Sequence, residues 1–178
     1  MRKYLIAAFL TGAFALAGVY AVKMGTGAGG SPHVSVTTVA DLKTPLPYPY
    51  DEHSDARADV AGTFDRAKSS GKRVLVDFGG NWCPDCRILA GVMELPEMQS
   101  FIAANYEVVK VDVGMFDKNL DVVKSLGVGK LKGVPTVVIA EPDGHPVNVT
   151  NSAELSNART MTPQALADWL AKWAKPPK

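Results

Sequence analysis

The chain has 178 residues, 47% of them hydrophobic, and its 19 basic and 18 acidic side chains leave a formal net charge of +1. With no basic patch and no long acidic run, nothing points to nucleic acid as a partner. Once the two ends are set aside, the length suits one small domain with ample apolar content for a core.

Arg2 and Lys3 precede an uncharged, mostly apolar run over 4–22, closed by Lys23. A short basic start and an apolar run describe a secretory signal peptide. Ala15 and Ala17 offer an A-x-A-like cleavage site, with Ala21 as a second choice. The run is also about long enough to span a bilayer, which takes roughly 20 residues. Residues 1–23 are therefore expected to be a signal peptide or an N-terminal membrane anchor, and either one exports the remainder. The stretch 24–50 begins Gly-rich (Gly25, Gly27, Gly29, Gly30) and ends Pro-rich (Pro45, Pro47, Pro49). That composition predicts a flexible linker or tether.

The folded domain is expected over 51–178. Residues 54–69 read as an amphipathic helix, with Ala56, Val60, Phe64 and Ala67 at helical spacing, Ser54 as N-cap and Gly71 as the stop. The β-branched run 73–78 predicts a buried strand. A helix then opens at Cys83, with Pro84 in its first turn where the missing N–H is no loss. Leu95-Pro96 interrupts it, and a second short helix is expected over 97–104. A strand over 106–113 and a helix over 120–126, ended by Gly127, follow. Gly133-Val134-Pro135-Thr136 introduces a third strand over 136–140. Pro142-Asp143-Gly144 predicts a hairpin into a fourth strand near 146–150. Thr162-Pro163 opens a last helix bearing Leu166, Trp169, Leu170 and Trp173, with both tryptophans expected in the core.

The only two cysteines stand in Cys83-Pro84-Asp85-Cys86. A thiol at a helix N-terminus meets unpaired backbone N–H groups and the positive end of the dipole, both of which favour the nucleophilic thiolate. A second thiol one turn along is close enough to close a disulfide and release a partner. A structural disulfide across so short a loop constrains the unfolded chain little. Structural zinc wants four ligands, and the three histidines (His33, His53, His145) are scattered, so no metal is expected. Two thiolates also suit copper(I), which leaves a copper-handling module as a non-enzymatic alternative.

Trp82-Cys83-x-x-Cys86, Asp77 six residues before the first cysteine, the Val134-Pro135-Thr136 loop and the order of elements together resemble the thioredoxin superfamily over roughly 54–174. Within it the chain is similar to exported bacterial thiol–disulfide interchange proteins, because the helix after the motif is interrupted. The resemblance implies an α/β thioredoxin-like fold with a central mixed four-stranded sheet flanked by helices. It implies that Cys83 is an exposed nucleophile and Cys86 a deeper resolving thiol. Asp77 would be a buried acid of raised pKa that exchanges a proton with Cys86, and Lys110 on the next strand its partner. Pro135 would be cis, with Val134 pairing its backbone to substrate and Trp82 covering one side of the site.

Pro84 and Asp85 replace the Gly-Pro of thioredoxin. A carboxylate at Asp85 should raise the Cys83 pKa and shift the couple toward reducing, nearer about −270 mV than about −120 mV. The expected activity is thiol–disulfide exchange with protein partners, acting as a reductase in the periplasm. It would need no cofactor beyond the Cys83–Cys86 disulfide, and a membrane thiol carrier would supply electrons to a monomer. A dithiol oxidant of secreted proteins is the alternative enzyme.

Overall fold

The computed structural model describes residues 30–174, so the expected signal or anchor segment lies outside the described residues, as does Pro176-Pro177. Three strands form the sheet: β1 (Arg73–Gly79), β2 (Tyr106–Asp112) and β3 (Thr136–Ala140), in the order β2-β1-β3. β1 runs parallel to β2 and antiparallel to β3. Alternation along the central strand divides the core into two layers. Val74, Val76 and Phe78 join Val109, Val111 and Val138 on one side. Helix α1 (Ala56–Ser70) and the short α4 (Leu120–Ser125) cover that side with Val60, Ala67, Val122 and Val123. Leu75 joins Val137 and Ile139 on the other, beneath α2 (Pro84–Met93), α3 (Pro96–Asn105) and α5 (Pro163–Lys172). Among the described residues no helix is long and apolar enough to cross a membrane.

The caps follow local chemistry. Asp55, rather than the expected Ser54, caps α1, accepting from the N–H groups of Arg57 and Ala58. Its carboxylate meets the orphan donors and the helix dipole together. Gly71 ends the helix at φ 72°, where a side chain would be strained. Thr162 caps α5 through the N–H of Ala165. Trp169 is buried as expected, whereas Trp173 is half-buried against the same cluster.

The expected fourth strand shrinks to a single bridge between Ala140 and Pro146. Pro146 has no N–H to continue a ladder. The buried Asn148 then takes the strand's place with its side chain: its Oδ1 accepts from Ile139 N–H at 2.7 Å, and its Nδ2 donates to Val137 C=O at 2.9 Å. The chain turns away into a 3-10 turn at Val149–Asn151. Among the described residues the sheet is three-stranded, and its β3 edge is met by the Asn148 amide together with backbone bonds from Val147 N–H to Ile139 C=O and from Val137 N–H to Ser152 C=O.

Residues 31–50, expected to be a linker, instead form an arm packed across the domain. Val34 and Leu42 sit in the layer beneath α2, α3 and α5, while Tyr50 sits in the opposite layer. The arm makes no strand, so its polar backbone is held by side chains. Arg87 on α2 donates to Leu46 C=O at 2.7 Å and Pro47 C=O at 3.1 Å, with its guanidinium 4.0 Å from the Tyr48 ring centroid. Gly91 on α2 lets Leu42 and Leu46 approach: a Cβ there would lie 3.1 Å from Leu46 Cδ2. The packed unit therefore begins some twenty residues before the expected boundary at Asp51.

Candidate active site

Strand β1 ends at Gly79, and Cys83 is the N-cap of α2, with Pro84 at its first position. The Cys83 sulfur accepts the N–H of Cys86 at 3.2 Å, so it lies where the helix presents unpaired donors. Its thiol donates to Val134 C=O at 3.4 Å, and the Val134–Pro135 peptide is cis, as the motif implies. The loop before β3 therefore faces the dithiol. Cys83 is not the openly exposed thiol expected from sequence. It is 3% exposed and Cys86 is wholly buried, because Val134 lies over the first sulfur. Both are free thiols.

The two thiols have opposed acidities. The thiol of Cys86 hydrogen-bonds the Cys83 sulfur, and the backbone N–H groups of Cys86 and Asp85 add to it. Together they hold Cys83 down to about 7, against its burial and the Asp85 charge. The same hydrogen bond, together with burial and the nearby Asp77 carboxylate, pushes Cys86 far up. One thiolate and one thiol near neutrality is the arrangement thiol exchange requires: a nucleophile and a protonated reserve.

Asp77 is fully buried on β1, and burial raises its pKa to about 6. Its Oδ1 accepts from the Tyr50 hydroxyl at 2.9 Å, while Oδ2, among the described residues, has no hydrogen-bond partner. An unpaired buried carboxylate oxygen disfavours the charged form. Lys110 stands opposite Asp77 in the β1–β2 register and lowers its pKa through charge, but no ion pair joins the two. The expected pairing is thus an influence through space.

Asp85 departs most from expectation. Its carboxylate is 4% exposed, and Arg159 grips it. The Arg159 backbone N–H reaches Oδ1 at 2.8 Å, and the guanidinium Nε lies 3.0 Å from both oxygens. Burial works to raise the Asp85 pKa, but these hydrogen bonds and the Arg159 charge outweigh it and the pKa falls. The Asp85 charge does push Cys83 up, with the expected sign, yet the helix-end hydrogen bonds win. The carboxylate is not the free charge expected from sequence, because a cation 74 positions away answers it.

Trp82 is 46% exposed beside the motif. Its indole N–H donates to Gly114 C=O at 2.8 Å, and its ring meets Phe116 edge-on at 5.9 Å. Met115 and Phe116 are also exposed, which gives the site an apolar rim. Sequence reasoning missed Tyr50, Asn81 and Arg159. Asn81 fixes Tyr50 by its backbone, accepting from Tyr50 N–H at 3.1 Å and donating to Tyr50 C=O at 2.8 Å. Gly79 was one available signal: a Cβ there would lie 2.2 Å from Tyr50 Oη and 2.8 Å from Cys86 Sγ, so the position must stay bare.

The sequence profile of the thioredoxin-like family matches residues 55–142, which include β1, the dithiol helix and the cis-proline loop. Thioredoxin of Mycobacterium tuberculosis (strain ATCC 25618 / H37Rv) is 37% identical over 79 residues, 44% of this chain and 60% of that protein. The match therefore spans three-fifths of that relative's length. Thioredoxin of Listeria monocytogenes (strain ATCC BAA-679 / EGD-e) is 38% identical over 85 residues, 48% of this chain and 73% of that one. A solved structure described as the disulphide isomerase from Xylella fastidiosa Temecula1 superposes with a TM-score of 0.68 at 41% identity, over 71% of this chain and 97% of that one. With the dithiol at a helix start, the facing cis-proline and the buried acid in place, these matches establish that the chain belongs to the thioredoxin superfamily.

Proposed function

We propose that this protein is a thiol–disulfide oxidoreductase that reduces protein disulfides outside the cytoplasm. The Cys83 thiolate attacks one sulfur of a partner disulfide. A mixed disulfide forms, and the partner's other sulfur leaves as a thiolate. Cys86 then loses its proton and attacks Cys83 Sγ, so the partner departs reduced and Cys83–Cys86 closes as a disulfide. Two electrons pass to the partner, whose thiolates take protons from solvent, and the single Cys86 proton is released. The oxidised protein must be recharged by a dithiol carrier. The basic start and apolar run of residues 2–23 support export and a carrier at the membrane. Export also means an oxidising setting, where a reductase depends on such a supply.

The single observation that carries the reading is the Cys83 sulfur capping α2 with its pKa held near 7, over a buried Cys86 held high. That acidity supports the reductive direction: thioredoxin's thiol sits near about 7, and the strong oxidant DsbA's near about 3.5. A partner would add its chain along the backbone of Val134 and against the exposed Trp82, Met115 and Phe116. Insulin reduction with dithiothreitol as electron source tests the activity, with Cys83→Ser as the inactive control. A protein that binds copper(I) but leaves insulin oxidised is the copper module instead. The redox state of the dithiol in protein taken from its native compartment tests direction: reduced for this reading, oxidised for a dithiol oxidant. The name of the Xylella relative favours one second reading, isomerisation, in which Cys83 attacks and the partner's own thiol resolves. Reactivation of scrambled ribonuclease by Cys86→Ser separates it from pure reduction.

A further inference from the structure

Resolution requires Cys86 to give up a proton inside the protein, and three groups converge where it must go. The Tyr50 hydroxyl donates to Asp77 Oδ1 at 2.9 Å. The same hydroxyl and the Cys86 sulfur crowd the one point that a Cβ on Gly79 would occupy, at 2.2 and 2.8 Å. Tyr50 is 3% exposed, and its backbone is fixed from both sides by Asn81, two residues before Cys83. A tyrosine needed only to anchor the arm could bury its ring with the hydroxyl turned to water. Here the hydroxyl is instead aimed between the two groups that titrate in the reaction.

We propose that the Tyr50 hydroxyl is the proton relay between Cys86 and Asp77. In the resolving step Cys86 S–H passes its proton to Tyr50 Oη as Tyr50 O–H passes its own to Asp77 Oδ1. The freed Cys86 sulfur bonds to Cys83 Sγ, the bond from Cys83 to the partner breaks, and the partner leaves with that electron pair as a thiolate. Tyr50 ends as the neutral phenol it began as, and Asp77 ends as a neutral acid that later returns the proton to solvent. Burial and the Asp77 charge hold Tyr50 well above an ordinary phenol, so it hands a proton on without ionising by itself. The other charges bearing on the relay are Lys110, opposite Asp77 on β2, and the Asp85–Arg159 pair at the start of α2.

The inference rests on the dithiol reading above, and a two-phase experiment lets the two fail separately. The reduced full-length chain, purified in mild detergent, is mixed with Ellman's reagent in a stopped-flow instrument. Attack by Cys83 releases a first thionitrobenzoate, and resolution by Cys86 releases a second. If the first phase is missing, the oxidoreductase reading falls. A positioned proton acceptor contributes a factor of about 10² to 10⁴, so Tyr50→Phe should slow the second phase by more than about tenfold and leave the first unchanged. A smaller effect, or an equal slowing of both phases, overturns the relay. Asp77→Asn should slow the second phase similarly, and the double variant no further, because both remove one path. Additive slowing overturns it. If Tyr50→Phe fails to fold, a ring-fluorinated tyrosine at position 50 keeps the contacts and makes the hydroxyl more acidic. The pH profile of the second phase should then move, and an unmoved profile overturns the relay.

Discussion

Asp77 makes a demand on folding as well as on chemistry, and its size follows from its surroundings. In the unfolded chain an aspartate titrates near its ordinary value of 3.8; in the fold, burial raises it to about 6. Between those values the folded chain holds a proton that the unfolded chain has released, so stability falls as pH rises through that window. Each pKa unit is worth about 1.4 kcal/mol, so the full penalty above the folded value is about 3 kcal/mol. Asp77→Asn removes the charge and with it the penalty. The new amide puts an N–H₂ where Oδ2 lacks a partner, which costs about 1–3 kcal/mol, but equally at every pH. The expected outcome is therefore a pH-dependent difference. Relative to wild type, the variant gains about 3 kcal/mol as pH is taken from below 3.8 to well above 6. Urea unfolding of the reduced proteins, followed by tryptophan fluorescence across that range, measures it directly. Other titrating groups cancel in the difference. Two curves that stay parallel would mean that Asp77 is not the buried acid described here, and the relay would lose its acceptor.

Removing the neighbouring cation should act in the opposite sense on the same group. Lys110→Met takes away a charge that lowers the Asp77 pKa, so in the same urea series the window of falling stability should extend to higher pH. At the start of α2, Arg159→Gln leaves the Asp85 carboxylate unanswered and should raise the Cys83 pKa, whereas Asp85→Asn should lower it. Rates of iodoacetamide alkylation against pH, with Cys86 replaced by serine, read both, and shifts of the same sign would refute the assignment. Gly79→Ala drives a methyl into Tyr50 Oη and Cys86 Sγ and should destabilise the fold by about 1–3 kcal/mol, seen as a lower urea midpoint. An unchanged midpoint would mean that the contact over Gly79 is loose.

What could be read from the residues beforehand was whatever is written locally. The strand run before Gly79, the proline after Cys83, the Gly71 stop and the Val134-Pro135-Thr136 loop each announce themselves within a few positions, and each stands where expected. Asp77 and its raised pKa were legible for the same reason: an acid inside a β-branched run has nowhere to go but the interior. Misreadings arose where side chains stand in for backbone. Asn148 closes an edge that a strand was expected to close, and Arg87 and Asn81 satisfy an arm whose proline content mimics a tether.

The dithiol's acidity is set inside the family's matched core of 55–142, but two groups that touch the neighbouring carboxylates come from outside it. Tyr50 arrives from the arm before α1, and Arg159 from the turn before α5, 27 and 74 positions from the carboxylates they touch. Neither contact leaves a periodic or neighbouring trace, because hydrogen bonds between distant segments depend only on where the fold brings them. On the reading proposed above, the superfamily core supplies the parts of the mechanism: a capped thiolate, a buried thiol and an acid on the central strand. Burial sets the raised pKa of the acid; the two flanking segments adjust it, Tyr50 by a hydrogen bond that lowers it, and Arg159 by answering the Asp85 charge beside Cys83. Relatives that keep the core but differ before α1 or before α5 should therefore share the reaction and differ in potential and in the pH dependence of resolution. Grafting the arm or the Arg159 turn onto such a relative should carry that difference with it.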